Sequence, residues 1–209
     1  MRLLAVSDFH NTFDRLPAIM AKAGKVDGTL LAGDLTQFGP TEEASMLLKM
    51  LPRPVLAVPG NCDPKDLVDL LRAENVNLHE AKKVLNGVTF IGIGGSNHTP
   101  FNTPFELSED QIKSTIERLL HGVTGPAVLL SHAPPQGHVD EILGGIHVGS
   151  KSVAEMAPKF IAVVCGHIHE ARGISRIGST LVVNAGEASR GYGAVLEIDS
   201  KGHAKAELI

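Results

Sequence analysis

Five short apolar runs, each halted by polar side chains, constrain what this chain can fold into more than any other feature. Residues 3–6 run into Ser7-Asp8, residues 29–32 into Gly33-Asp34, residues 55–58 into Pro59-Gly60-Asn61, residues 127–130 into Ser131-His132, and residues 161–164 into Cys165-Gly166-His167. Runs of this length and composition read as buried strands. Helical patterns separate the first three. Phe13, Leu16 and Met20 share one side of a helix that Asn11 begins, with Pro17 removing a backbone donor near its start. Pro40-Thr41-Glu42-Glu43 opens a second helix, its acids placed where the helix dipole favours them, with Ala44, Leu47, Leu48 and Leu51 as the stripe. Asp63-Pro64 reads as the N-cap and first residue of a third, backed by Leu67, Leu70 and Leu71. Three strand-and-helix repeats predict a parallel sheet whose polar residues gather along its carboxyl rim.

The second half of the chain changes pattern. Residues 88–93 form a strand with a glycine-rich exit and a loop through Pro100 and Pro104. Ser108-Glu109-Asp110-Gln111 is a capping box ahead of Ile112, Ile116, Leu119 and Leu120, and Gly122 is a natural stop. His121, in the last turn, reads as a surface residue. Residues 136–150, rich in glycine and histidine, form a long segment near the rim that can cover a substrate. Alternating segments at 173–176, 180–183 and 194–198, with turns at Gly178 and Gly186, suggest antiparallel strands.

With 209 residues, 43% of them apolar, the chain fits one α/β domain, residues 1–209. A net charge of −4 and the lack of any Lys/Arg run argue against a surface for extended duplex nucleic acid. No Trp and a single Tyr leave few platforms for stacking single strands. The amino terminus shows no charged segment followed by a secretory-length apolar stretch, and no apolar run is long enough for a bilayer, so no membrane association is expected. Two cysteines make no disulfide framework, which fits a cytoplasmic location.

The residues that halt the runs carry the chemistry. His167 and His169 are two apart, so in an extended chain they project to one face and converge on one point, while Gly166 lets the backbone come close. Asp8 and His10 repeat that spacing with a carboxylate and an imidazole. Neutral imidazoles at a rigid strand end suit Zn, Mn, Fe, Co or Ni, and a His-x-His by itself fits two solvated loop residues equally well. Here it is accompanied by Asp8, His10, Asp34, Asn61 and His132 at the other four strand ends.

In order, the blocks Asp8-Phe9-His10, Gly33-Asp34, Gly60-Asn61-Cys62-Asp63, Ser131-His132 and Gly166-His167-Ile168-His169 closely resemble those of the calcineurin-like metallophosphoesterases, over residues 8–169. The segment from Gly145 through Ser150 is similar to a branch of small prokaryotic phosphoesterases. The resemblance implies a four-layer αββα sandwich of two mixed sheets. It implies a first divalent ion on Asp8, His10, Asp34 and His169, and a second on Asp34, Asn61, His132 and His167, with Asp34 bridging; manganese is expected, with Fe, Zn, Ni or Co as alternatives. Paired ions about 3.5–4 Å apart grip the attacking and leaving oxygens of an in-line displacement and make hydroxide available near neutral pH. Two divalent ions outweigh Asp8, Asp34 and one bridging hydroxide by a single positive charge, so a small phosphate ester is drawn in. Asp34 and Asn61 are thereby the expected catalytic residues.

This chain departs from the family at Cys62, where many members carry a histidine that contacts phosphate and helps the leaving oxygen depart. A thiol is a poorer proton donor, which predicts a preference for phosphodiesters or activated esters over alkyl phosphomonoesters. Cys62 equally fits a small buried hydrophobe; Cys165 reads as packing. His147 is a candidate substrate contact or a solvated loop residue, and Asn184 a support for a metal ligand or a turn residue. His79, His98, His138 and His203 receive no role. Two further functions share the pattern: a scaffold that recruits a partner protein with little turnover, and a monoesterase or single-strand nuclease of the same chemistry. Metal-competent side chains at all seven positions favour the enzyme, because an unpaired buried polar cluster is costly.

Overall fold

The computed structural model describes Met1–Ile209. In chain order its first half contains β1 (Arg2–Val6), α1 (Leu16–Ala23), β2 (Gly28–Ala32), α2 (Thr41–Met50), β3 (Val55–Val58), α3 (Leu67–Ala73), β4 (Lys82–Leu85), β5 (Val88–Ile93), and the short strands β6 (Ser96–Asn97) and β7 (Glu106–Leu107). There follow α4 (Glu109–Leu120), β8 (Ala127–Ser131), the hairpin strands β9 (Glu141–Ile142) and β10 (Ile146–His147), α5 (Lys151–Met156), β11 (Ala162–Cys165), β12 (Gly173–Ile177), β13 (Thr180–Asn184), β14 (Ala194–Ile198) and β15 (Ala204–Leu208).

Strand periodicity builds the layers. Successive side chains point to opposite faces, so in β1 Leu3 and Ala5 turn one way and Leu4 and Val6 the other. Leu3 and Ala5 meet Leu30, Leu56 and, from the second sheet, Phe90, Val128, Leu130, Val164 and Val183. Leu4 and Val6 instead meet Leu16, Ile19, Leu47, Leu48, Leu67 and Leu71 of the first three helices. On the far side Ile91, Leu129, Val163 and Val182 pack on Ile112 and Ile116 of α4 and Val153 and Met156 of α5. Two sheets thus face each other and helices cover both outer faces. Each fully buried leucine contributes about 1.5–3 kcal/mol.

One sheet has the order β15-β14-β1-β2-β3, with β1, β2 and β3 parallel; the other has the order β12-β13-β11-β8-β5-β4. The parallel pairing of β5 with β8, β8 with β11 and β11 with β13 points their carboxyl ends one way. The expectation of antiparallel strands late in the chain needs correcting at β13, which runs parallel to β11, while β12, β14 and β15 pair antiparallel. A local pattern specifies a strand but not which neighbour it joins. Strands β4 and β15 were not foreseen, since Ala204–Leu208 alternates alanine with Lys205 and Glu207 and carries little apolar signal.

The capping box of α4 is present: Ser108 Oγ accepts from the Gln111 amide at 3.2 Å, and Gln111 Oε1 accepts from the Ser108 amide at 2.8 Å. The other two caps differ from expectation. Helix α1 begins after Arg15 and α3 after Asp66, so neither Asn11 nor Asp63 is an N-cap. Asn11 Oδ1 accepts from the Gln37 amide and its Nδ2 donates to the Gly39 carbonyl, joining the loops after β1 and β2. No helix is long and apolar enough to cross a membrane.

Candidate metal centre

The carboxyl ends of β1, β2, β3, β8 and β11 meet along one rim, bringing Asp8, His10, Asp34, Asn61, His132, His167 and His169 together. They arrive there by a different local geometry from the extended one expected. β1 has ended at Val6, and Asp8, His10 and Asn11 follow with φ of 60°, 46° and 62°; Asp34 has φ 51° and His167 φ 69°. Asn, Asp and His enter this left-handed region more readily than other side chains, though at a cost. Distant backbone holds the kinks in place: the amides of Asp8, Phe9, His10 and Asn11 donate to the carbonyls of Gly33, Asp34, Asp34 and Leu35.

The kink at His167 separates it from His169. The two rings do not share a point: His169 lies edge-on to His10 with centroids 5.3 Å apart, and His167 tilts against His132 at 4.9 Å. Two donor groups result. In the first, His10 Nε2 and His169 Nε2 are 3.4 Å apart, and Asp8 Oδ1 lies 4.0 and 3.5 Å from them. In the second, His132 Nε2 lies 2.8 Å from Asn61 Oδ1, with the His167 ring alongside. Asp34 Oδ2 is between the groups, 3.8 Å from His10 Nε2 and 3.5 Å from His132 Nε2.

Supporting residues aim these atoms. His132 Nδ1 donates to the Ala32 carbonyl at 2.7 Å, leaving Nε2 turned inward. Asp34 Oδ1 accepts from the Cys62 amide at 2.8 Å, and a Cβ at Gly60 would overlap the Asp34 carboxylate. Asp63 accepts from the amides of Leu35, Thr36 and Gly60 and from Thr36 Oγ1, tying the Asp34 loop to the Asn61 loop. Asn184, fully buried, donates to the carbonyl of Ile168, between the two histidines, and to that of Val139, and accepts from the Gly186 amide. Glu187 was missed by sequence reasoning: its Oε2 lies 3.3 Å from His169 Nδ1 and 2.7 Å from Arg190 Nε. No local spacing signals it, since only the pairing of Ser7 with Glu187 brings its loop to the rim.

Charge in the cluster is shared between buried acids and imidazoles. Burial alone would raise Asp34, but His132, His10 and His167 facing it hold its carboxyl well below the usual range. Burial opposes charge on His132, yet Asp34 against it pushes it up to about 9. His167, desolvated and beside His132, falls to about 4, whereas Asp8 raises His169 against its burial. Asp63 is lifted to about 7 by burial and by Asp34.

These donors fit divalent cations. The ligand atoms of Asp8, His10 and His169 lie within 4.8 Å of one another, as do those of Asp8, Asp34 and His132, and of His10, Asp34 and Cys62. Facing imidazole nitrogens backed by buried carboxylates are the nitrogen and oxygen set that borderline first-row metals take. Cys62 is half-buried and faces this cluster; burial and the charge of Asp34 push its thiol up. Cys165 is fully buried, its Sγ against the Val183 carbonyl. His79, given no role from sequence, is a buried acceptor for the Gly94 amide.

A cavity of about 660 Å³ opens beside Asn61 and His167, walled by Phe101, Ile142, Leu143 and His147. Residues 136–150 place the β9–β10 hairpin over it, and His147 Nδ1 sits 2.6 Å from Asp140 Oδ1.

The calcineurin-like phosphoesterase pattern matches residues 1–171. The uncharacterized protein MJ1162 of Methanocaldococcus jannaschii is 37% identical over 193 residues, covering 88% of this chain and 87% of that protein. The crystal structure of TT1561 of Thermus thermophilus superposes with a TM-score of 0.73 at 21% identity, covering 100% of this chain and 97% of the other. A 5'-nucleotidase precursor from the same organism gives a TM-score of 0.60 at 18% identity and is covered over 54% of its length, all of this chain being matched. The two structures share the fold; the sequence pattern, which runs through every strand end of the rim, carries more. On that pattern and the M. jannaschii relative, the chain belongs to the calcineurin-like phosphoesterase family of metal-dependent hydrolases, close to the MJ1162 protein and sharing its fold with TT1561.

Proposed function

We propose that residues 1–209 act as one domain, a cytoplasmic phosphodiesterase that holds two divalent ions and cleaves a small phosphate ester. The observation that carries this reading is the position of Asp34, whose Oδ2 faces both donor groups at 3.8 and 3.5 Å. Asp8, His10 and His169 would hold the first ion, and Asn61, His132 and His167 the second, with Asp34 shared. When bound, the ions supply the positive charge that attracts phosphate and lower the pKa of water toward about 7. Manganese suits the mixture of carboxylate and imidazole, and Fe, Zn, Ni or Co accept the same donors.

The protein's own groups position these events. Asp63 and the Cys62 amide fix Asp34 and Asn61 relative to each other, so the shared carboxylate stays centred. Asn184 and Glu187 do the same for the loop bearing His167 and His169. Cys62, whose thiol faces the cluster, offers neither positive charge nor a ready proton to a departing oxygen. That favours diesters and activated esters over alkyl monoesters, and the net charge of −4 disfavours extended duplexes.

Protein loaded in turn with Mn, Fe, Zn, Ni or Co should hydrolyse an aryl phosphodiester faster than an alkyl monoester. Asp34→Ala should lose bound metal and slow turnover on the order of 10³-fold. A clear monoester preference overturns the diester assignment. Turnover untouched by Asp34→Ala overturns the shared ligand, and no hydrolysis under any of these metals leaves a scaffold for a partner protein.

A further inference from the structure

The hairpin over the cavity carries a second polar arrangement that uses none of the seven rim residues. Asp140 is fully buried at its base, with Oδ2 accepting from the amides of Gly137 at 3.0 Å and Gly149 at 2.9 Å. Its other oxygen, Oδ1, meets His147 Nδ1 at 2.6 Å. A carboxylate held by two amides cannot rotate away, so it fixes the imidazole with Nδ1–H toward Asp140 and Nε2 turned away from it. The His147 side chain is 43% exposed and lines the cavity that Asn61 and His167 also line.

The backbone around this pair is built to keep it there. Val139 has φ 52°, a strained conformation for a β-branched residue, and sits immediately before Asp140. The Val139 carbonyl accepts from Asn184, the residue that also holds Ile168 between the two rim histidines. Asn97 Nδ2 donates to the Val148 carbonyl from the opposite wall. The hairpin is thereby tied to the rim on one side and to the cavity wall on the other. Its exposed apolar side chains, Leu143 at 90% and Phe101 at 80% on the facing loop, flank the same opening.

We infer that His147, oriented by Asp140, donates a proton to the departing oxygen of the ester, the task that Cys62 is unsuited to, and that the departing alcohol is apolar and seated against Phe101 and Leu143. The inference rests on the phosphoesterase reading above and revises its leaving-group argument: with His147 supplying the proton, unactivated alkyl phosphodiesters are substrates as well. As the oxygen of the attacking water bonds to phosphorus, the bond from phosphorus to the leaving oxygen breaks. The leaving oxygen keeps the electron pair and takes the proton from Nε2 of the His147 imidazolium. The water's proton passes to solvent, and neutral His147, still donating through Nδ1 to Asp140, is reprotonated from solvent for the next cycle.

The test compares two diesters, one with a simple alkyl alcohol as leaving group and one with a nitrophenol, on Mn-loaded protein. A nitrophenolate departs without a proton, so only the alkyl ester should depend on the donor. His147→Gln should lower kcat for the alkyl diester about 100-fold and change the nitrophenyl diester by no more than about 3-fold, with metal content and melting temperature unchanged. Asp140→Asn should show the same selectivity. An equal loss on both esters in His147→Gln overturns the proton donation, and an equal loss in Asp140→Asn reduces Asp140 to a loop support. If wild-type protein cleaves neither ester under any divalent metal, the phosphoesterase reading itself fails.

Discussion

The rim and the hairpin are two ways of placing a functional side chain. At the rim, Asp8, Asp34, Asn61 and His132 are buried at the ends of strands that are themselves buried on both faces. Their orientation is set by hydrogen bonds from neighbouring strand ends, as when the Cys62 amide holds Asp34 and the Ala32 carbonyl holds His132. The hairpin has no such core beneath it: β9 and β10 pair only with each other, and Leu143 and Ile146 project into solvent. Its fixed points are hydrogen bonds at its base, to Asp140 and to the Val139 and Val148 carbonyls. The contrast teaches that the rim groups are fixed by packing on buried strands, while His147 is fixed by a few hydrogen bonds at the base of an exposed hairpin.

Three perturbations sharpen that difference, and Asn184, which touches both regions, should have the largest effect. Asn184→Ala leaves the Ile168 and Val139 carbonyls and the Gly186 amide without their partner. The expected result is roughly 1–3 kcal/mol of lost stability and metal affinity weakened about 10–100-fold, read by denaturant melts and metal titration. Unchanged metal affinity would mean that the His167–His169 loop is held by other contacts.

The second perturbation is removal of metal at different pH. His132 is raised to about 9 in the folded protein, above its usual 6.5, so its contribution to stability is complete below about 6.5 and disappears as pH rises through about 9; His169 shifts in the same direction. His167 is lowered to about 4, so its contribution is present above about 6.5 and is lost as pH falls through about 4. Metal-free protein should therefore melt at progressively lower temperature from about pH 6.5 to 9, and metal-loaded protein should lack that slope. Parallel slopes would show that metal does not compete for the proton on His132.

The smallest effect belongs to the hairpin tip. Leu143→Ser should leave stability within about 0.5 kcal/mol, since the side chain is 90% exposed. KM for an apolar diester should rise about five-fold with kcat retained, the consequence of losing about 1 kcal/mol of apolar contact. A stability loss comparable with that of Asn184→Ala would erase the distinction between the two regions.

The five strand ends were legible because strands buried on both faces admit few polar residues and no charged ones at their buried positions, so the first carboxylate, amide or imidazole after an apolar run marks where the strand has ended. The α4 capping box was legible for a similar reason, both partners lying within four residues. Asn11 and Asp63 misled because a helix cap and a loop tether use the same short polar side chains. Apart from the Gly60 amide, their actual backbone donors, the amides of Gln37, Leu35 and Thr36, are remote in sequence. Glu187 and the Asp140–His147 pair were hidden likewise: neither spacing nor composition says that a loop after β13 returns to β1, or that a buried carboxylate waits behind a loop histidine.

By itself the sequence determined where the strands end and which polar side chains follow them, because a short run of buried apolar residues is a local property; the order of those side chains is what resembled a metal-binding family. Only the tertiary structure decided how they divide, sending His169 to His10 and His167 to His132. That division depends on left-handed turns at Asp8, His10, Asp34 and His167, conformations costly in an isolated chain and held by hydrogen bonds from distant strand ends, such as the Asp8 amide to Gly33 and the His167 amide to Asp8.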